Sequence, residues 1–229
     1  MQTDDVLETI RRGDVLALEQ YLCAHPDAVT TRFDGQRTLL HVATDWPGHF
    51  PNVQKTIQIL AAHGAALNAA FNGNHSETPL HWAASSGDLA ALDALLDLGA
   101  DIESPGSVIG GGTPLFDAVV FGQWPAAHRL VTRGARSTLW QSAALGMMDR
   151  LQQFFSGDSK PSAGEVTNAF WNACHGGQLE AAQYLLAHGA ALNWAGHGGL
   201  TPLDAAARNN NGKLVDWLLK QGASSSSRA

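Results

Sequence analysis

Cysteine is scarce in this 229-residue chain: there are two, Cys23 and Cys174, and no Cys-x-x-Cys pair. A redox centre of that spacing is excluded. Basic residues are scarce as well. Fourteen Lys and Arg stand against twenty-one Asp and Glu, a formal net charge of −7, and no basic run exceeds two residues. That balance argues against nucleic acid and against an anionic membrane surface as partners. No apolar run approaches the ~18 residues of a membrane-spanning helix, and residues 1–5 do not read as a signal peptide. A soluble, cytoplasmic protein is therefore expected. Neither Gly-x-Ser-x-Gly nor His-Glu-x-x-His occurs, so the familiar hydrolase and metalloprotease readings find no footing. No motif implies a cofactor.

What the chain does have is a repeated phrase. Thr-Pro-Leu-His stands at 78–81, with looser copies Thr-Leu-Leu-His at 38–41, Thr-Pro-Leu-Phe at 113–116 and Thr-Pro-Leu-Asp at 201–204. Thr78 suits a helix N-cap, and Pro79 suits the first turn, where a missing N–H is harmless. Leu80, Ala83 and Ala84 then share one helical face. After Gly87-Asp88, a second stripe of Leu89, Leu92, Leu95 and Leu96 runs to Gly99, the residue type that ends helices in a left-handed conformation. Equivalent glycines fall at 64, 99, 134, 189 and 222, spaced by 35, 35, 55 and 33 residues.

A period near 33 with this phrase resembles the ankyrin repeat. The resemblance covers about residues 3–223 and implies an all-α solenoid of about seven helix-pair units. They are read at about residues 3–33, 38–64, 78–99, 113–134, 138–157, 166–189 and 201–222. The first looks like an N-terminal cap. The fifth is compressed, because Thr138 follows Gly134 by four residues and leaves no room for the finger hairpin. Residues 1–223 are read as one continuous domain and residues 224–229 as a disordered polar tail. In such a stack Cys23 and Cys174 lie five layers apart, too far for a disulfide, and Cys174 falls at a small-residue core position.

Ankyrin proteins usually bind through their fingers and the concave face of each first helix. The resemblance thus implies a protein partner held by Trp46, His75, Trp82, Phe121, Trp124, Asn172, His175, Trp194, His197 and Arg208. Asp45, Glu77, Ser85 and Ser86 read as exposed neighbours on the same face. Residues 47–51 form an insertion, and the fingers at 69–77 and 104–112 are nine residues long. The second of these is glycine-rich. It does not match a phosphate-binding loop and reads as a bent hairpin or a mobile flap.

A reading from a different class remains open. Asp117 lies beside Phe121 and Trp124, and an apolar setting would raise its pKa. It would then serve as acid or base toward a small hydrophobic ligand in a notch around repeats three to six, with Ser142, Asn172 and His175 contributing hydrogen bonds. The other reading of Asp117 is a structural bond to the exposed N–H groups of the glycine-rich finger. Of the ten histidines, only His49, His75, His175 and His197 lack a structural role, and they fall in two distant pairs, so no metal site is expected.

Overall fold

The computed structural model describes residues 3–209 and 211–226. Among these, fourteen α-helices and two 3-10 turns account for the regular structure, with no strand beyond one isolated bridge between Phe33 and Arg37. The chain divides into two compact units, Met1–Arg136 and Ser137–Ala229. The division falls in the segment where the sequence drops a finger.

The first unit holds four helix pairs: α1 (Thr3–Arg12) with α2 (Val15–Ala24), α3 (Leu39–Thr44) with α4 (Val53–Ala62), α5 (Pro79–Ser86) with α6 (Leu89–Asp97), and α7 (Pro114–Val120) with α8 (Trp124–Thr132). Inner helices pack in a row, α1 on α3, α3 on α5 and α5 on α7, and the outer helices follow suit. The seams are lined by fully buried Leu39, Leu40, Leu80, Leu92, Leu95 and Leu115, with Ala83, Ala84 and Ala118 allowing close approach. Each buried leucine contributes about 1.5–3 kcal/mol. In the first pair Leu16 is 70% exposed, and α2 buries only Leu18 and Leu22.

The second unit holds three pairs: α9 (Leu139–Ala144) with α10 (Met148–Ser156), α11 (Ala163–His175) with α12 (Leu179–Ala187), and α13 (Pro202–Arg208) with α14 (Gly212–Lys220). Phe170, Leu185, Leu214 and Leu218 centre its core. The sixth inner helix starts three residues before the Val166 expected from register. Ser162 caps it, and Glu165 reaches back to the Ser162 N–H at 2.8 Å. Nor does a free tail start at 224: Ser224 N–H donates to Asn193 Oδ1, and Ser225 and Ser226 donate to Asp204. Residues 227–229 lie outside the described residues.

The repeated phrase has a mechanical explanation. In four further inner helices, α3, α5, α9 and α13, the third residue reaches back to the N-cap N–H, as in a capping box, whereas Phe116 of α7 cannot. His41 Nδ1 accepts from Thr38 N–H at 3.3 Å and His81 Nδ1 from Thr78 N–H at 3.0 Å. Gln141 and Asp204 accept in the same way at 2.8 and 3.0 Å. Because Nδ1 is the acceptor, the histidines are neutral with the proton on Nε2. That N–H donates to the carbonyl just before the next repeat's threonine, His41 to Glu77 O and His81 to Gly112 O, each at 3.1 Å. Burial pushes the His41 pKa down to about 4 and also lowers that of His81.

The two thiols differ in reach. Cys23 is exposed, whereas Cys174 is fully buried and burial pushes its pKa up. A maleimide is expected to add one adduct to the native protein, at Cys23, and a second only in denaturant. Two adducts on the native protein by mass spectrometry would contradict the burial of Cys174.

Candidate functional site

The first unit carries a cleft of about 180 Å³ lined by Asp45, Trp46, Glu77, Trp82, Ser85 and Ser86. Three consecutive features build it. Asp45 and Trp46 close α3, where the inserted residues 47–51 carry the chain on to α4. The turn is held by a bond from His49 N–H to Asp88 Oδ2 at 2.6 Å and by Asn52 donating to Gly13 O at 2.9 Å. Trp46 is thereby left 81% exposed. Trp82, Ser85 and Ser86 line the other wall from α5.

Glu77 sits at the back, and here the structure corrects the reading of an exposed position. It is 8% exposed. Its Oε2 accepts from Trp82 Nε1–H at 2.9 Å and its Oε1 from Val108 N–H at 2.8 Å. The next repeat's finger thus docks on the carboxylate that orients Trp82. Behind Trp82 lies a ring cluster. His41 meets it edge-on at 4.9 Å, Phe71 lies 5.7 Å away, and His75 stacks on Phe71 at 4.4 Å. Trp82 therefore both packs on its neighbours and faces the cleft. On the near side, Arg37 bridges Asp45 at 2.7 Å and Asp34 at 2.5 Å.

The glycine-rich finger is a bent hairpin tied down at several points. Ser76 N–H donates to Gly106 O, and Ser107 N–H to Gly112 O. At Gly106 φ is +141°, and a Cβ there would sit 2.3 Å from Ser76 O, so only glycine allows the approach. Val108 and Ile109 are left 50% and 43% exposed at the tip.

Asp117 lies beneath this finger, fully buried and away from the cleft lining. Its Oδ1 is 2.5 Å from Ser107 Oγ, and its Oδ2 is buried with no hydrogen-bond partner among the described residues. Burial raises its pKa to about 7, against the lowering effect of Ser107 and with a further push from Glu77. The bond runs to the finger through the Ser107 hydroxyl, not through the finger's N–H groups as the structural alternative expects. Phe121 ends α7 and is 49% exposed, while Trp124 opens the outer helix α8 and is half-buried.

The second unit gathers its own set. Asn172, expected on the exposed face, is only 3% exposed, and its amide donates to Asn168 within α11 at 2.9 Å. Ser142 likewise donates to Thr138 O. His175 stacks on Trp171 at 5.4 Å, and His197 meets the same ring at 4.9 Å. Trp194 is 38% exposed and packs beside Gly196, where a Cβ would come within 2.9 Å of both tryptophans. Arg208 is exposed at the end of α13.

Trp171 is the residue that sequence reasoning passed over. It stands six residues before the left-handed Gly177, as His81 stands six before the left-handed Gly87. It donates the equivalent bond, Nε1–H to Leu200 O at 2.8 Å, just before Thr201. Aligning the two glycines would have found it. Among the described residues, no group of three or more His, Cys, Asp or Glu is placed to hold a metal ion. Among them, too, no helix is long and apolar enough to cross a membrane.

A family model described as ankyrin repeats (3 copies) matches residues 8–106 and 139–229. The crystal structure of the human ASB11 ankyrin repeat domain matches with a TM-score of 0.57 at 19% sequence identity, over 94% of this chain and 96% of that one. At that identity the likeness concerns the fold alone. No curated protein matches the sequence.

Proposed function

We propose that this chain, which belongs to the ankyrin-repeat family, takes a protein partner on the inner-helix face and fingers of its first unit, with Trp46 as the principal anchor. Ankyrin repeats are generally protein-interaction modules. The observation that carries the finer reading is a tryptophan 81% exposed at the mouth of a cleft backed by a second tryptophan. Large aromatics left exposed beside a preformed pocket are the side chains that dominate binding energy at interfaces. Val108, Ile109 and Phe121 are further exposed apolar side chains of the same unit. Trp194, with His197 and Arg208, offers a separate aromatic surface on the second.

The test is affinity capture with the full chain, read by quantitative mass spectrometry and followed by titration of the captured partner. Trp46→Ala is expected to weaken binding by about thirtyfold, the ~2 kcal/mol of an interface hot spot. An exposed ring contributes little to folding, so the melting temperature should stay within a degree or two. A partner held equally well by wild type, Trp46→Ala and Phe121→Ala would remove this reading.

A further inference from the structure

Resting on that reading, we propose that the cleft beside Trp46 is a receptor for one cationic side chain, lysine or arginine, presented by a basic segment of the partner. Size comes first. At about 180 Å³ the cleft falls below the ~300 Å³ at which pockets enclose drug-sized ligands, and suits a single long side chain.

The hydrogen-bonding character of the lining decides the chemistry. Asp45 and Glu77 contribute carboxylates. Ser85 and Ser86 direct their hydroxyl protons at the Trp82 carbonyl, at 3.1 and 2.8 Å, which leaves oxygen lone pairs as what they can offer an occupant. The Trp82 indole N–H is committed to Glu77. The remaining side-chain donor, the indole N–H of Trp46, belongs to a ring that is largely in solvent. An anionic occupant would meet acceptors and like charge. An aliphatic one would strip water from the Asp45 carboxylate without replacing it, which is unfavourable. A cation supplies what is missing.

Charge points the same way. The lining carries two carboxylates, Asp45 and Glu77, and no basic side chain, and Arg37, the ion-pair partner of Asp45, is shared with Asp34. His75, 3.4 Å from Glu77, faces that carboxylate from the finger side. Two indole rings complete the site. Aromatic faces attract a cation through their quadrupole, tryptophan most strongly, while the aliphatic stem of lysine or arginine packs on apolar surface.

The probes are Nα-acetyl-arginine methylamide, Nα-acetyl-lysine methylamide and the neutral Nα-acetyl-norleucine methylamide, titrated into the ¹⁵N-labelled full chain. The indole N–H resonances of Trp46 and Trp82 report directly. Both cationic probes should shift them saturably, with norleucine at least fivefold weaker. Asp45→Asn should weaken the cationic probes about fivefold while leaving the rest of the spectrum in place, and raised salt should do the same. Equal shifts with norleucine, or no indole shift with either cation, would overturn the proposal. A protein partner that still depends on Trp46 but binds regardless of charge at its inserted residue would also overturn it, while leaving the interaction reading standing. A partner indifferent to Trp46 would remove both.

Discussion

Asp117→Asn is expected to stabilise the protein at pH 8 by on the order of 3 kcal/mol and to remove the loss of stability that ionising this carboxyl imposes as pH rises from 4 to 7. The sign follows from the shift. In the unfolded chain the carboxyl ionises near 3.8, whereas burial under the finger raises it to about 7 in the fold. Between those values the folded state holds a proton that the unfolded state has released. The stability associated with that proton is fully present below pH 4 and is lost as pH rises through about 7. Above that, the fold carries a buried charge with one oxygen unpartnered and Glu77 adding repulsion. Asparagine keeps an acceptor for the Ser107 hydroxyl and cannot ionise.

The buried histidines titrate in the opposite sense. His41, lowered from 6.5 to about 4, and His81, also lowered, resist protonation in the fold. Their contribution is present above pH 6.5 and is lost as pH falls through the lowered values, about 4 for His41. In the wild type the two slopes oppose each other across pH 4 to 6.5. In Asp117→Asn only the histidine slope remains, so stability should decline steadily with acid. Urea midpoints taken at pH steps from 4 to 8 measure this. A variant that keeps the wild-type profile, or is less stable at pH 8, would show that Asp117 is not carrying the buried charge.

Trp171→Ala is expected to destabilise the protein by about 3–5 kcal/mol, the range for removing a large buried aromatic. The ring is 5% exposed, and its loss would leave Leu200 O without the indole N–H and His175 and His197 without their packing surface. Volume alone does not explain the position, because its counterparts His41 and His81 are smaller and make the same bond. Trp171→His should therefore recover part of the loss by restoring a donor toward Leu200 O. Denaturation of the full chain measures both variants, and hydrogen exchange at residues 196–201 reports on the finger itself. Equal losses for alanine and histidine would mean that packing, and not the bond to the next finger, sets the stability of this repeat.

Much of the architecture was legible because its causes are local. Thr38, Thr78 and Thr201 cap helices three residues from the side chain that reaches back to them, and the leucine stripes repeat at helical spacing. Repeats two, three, four and seven follow from that phrase, whereas the first, fifth and sixth are read by register alone. The sixth was read late because its cap is Ser162 with Glu165, outside the threonine phrase. Trp171 was missed because a tryptophan does not look like a histidine, although both offer one ring N–H at the same place.

The cleft was half legible. Asp45, Trp46, Ser85 and Ser86 could be placed on one face by register alone. Glu77 and Asn172 could be placed by the same rule, yet their side chains are buried, because register assigns a helical face and says nothing about what covers it.

The sequence by itself determined the helix pairs, their order and the face that carries Trp46 and Trp82, since caps, periodicity and chain length act over a few residues. Only the tertiary structure decided which polar groups on that face are spent and which are offered. Glu77 is committed to a backbone N–H 31 residues away, and Asp117 is sealed by a serine ten residues upstream in a folded finger. Burial and hydrogen-bond partnership depend on where a finger comes to rest, and that is set by contacts between repeats rather than within one.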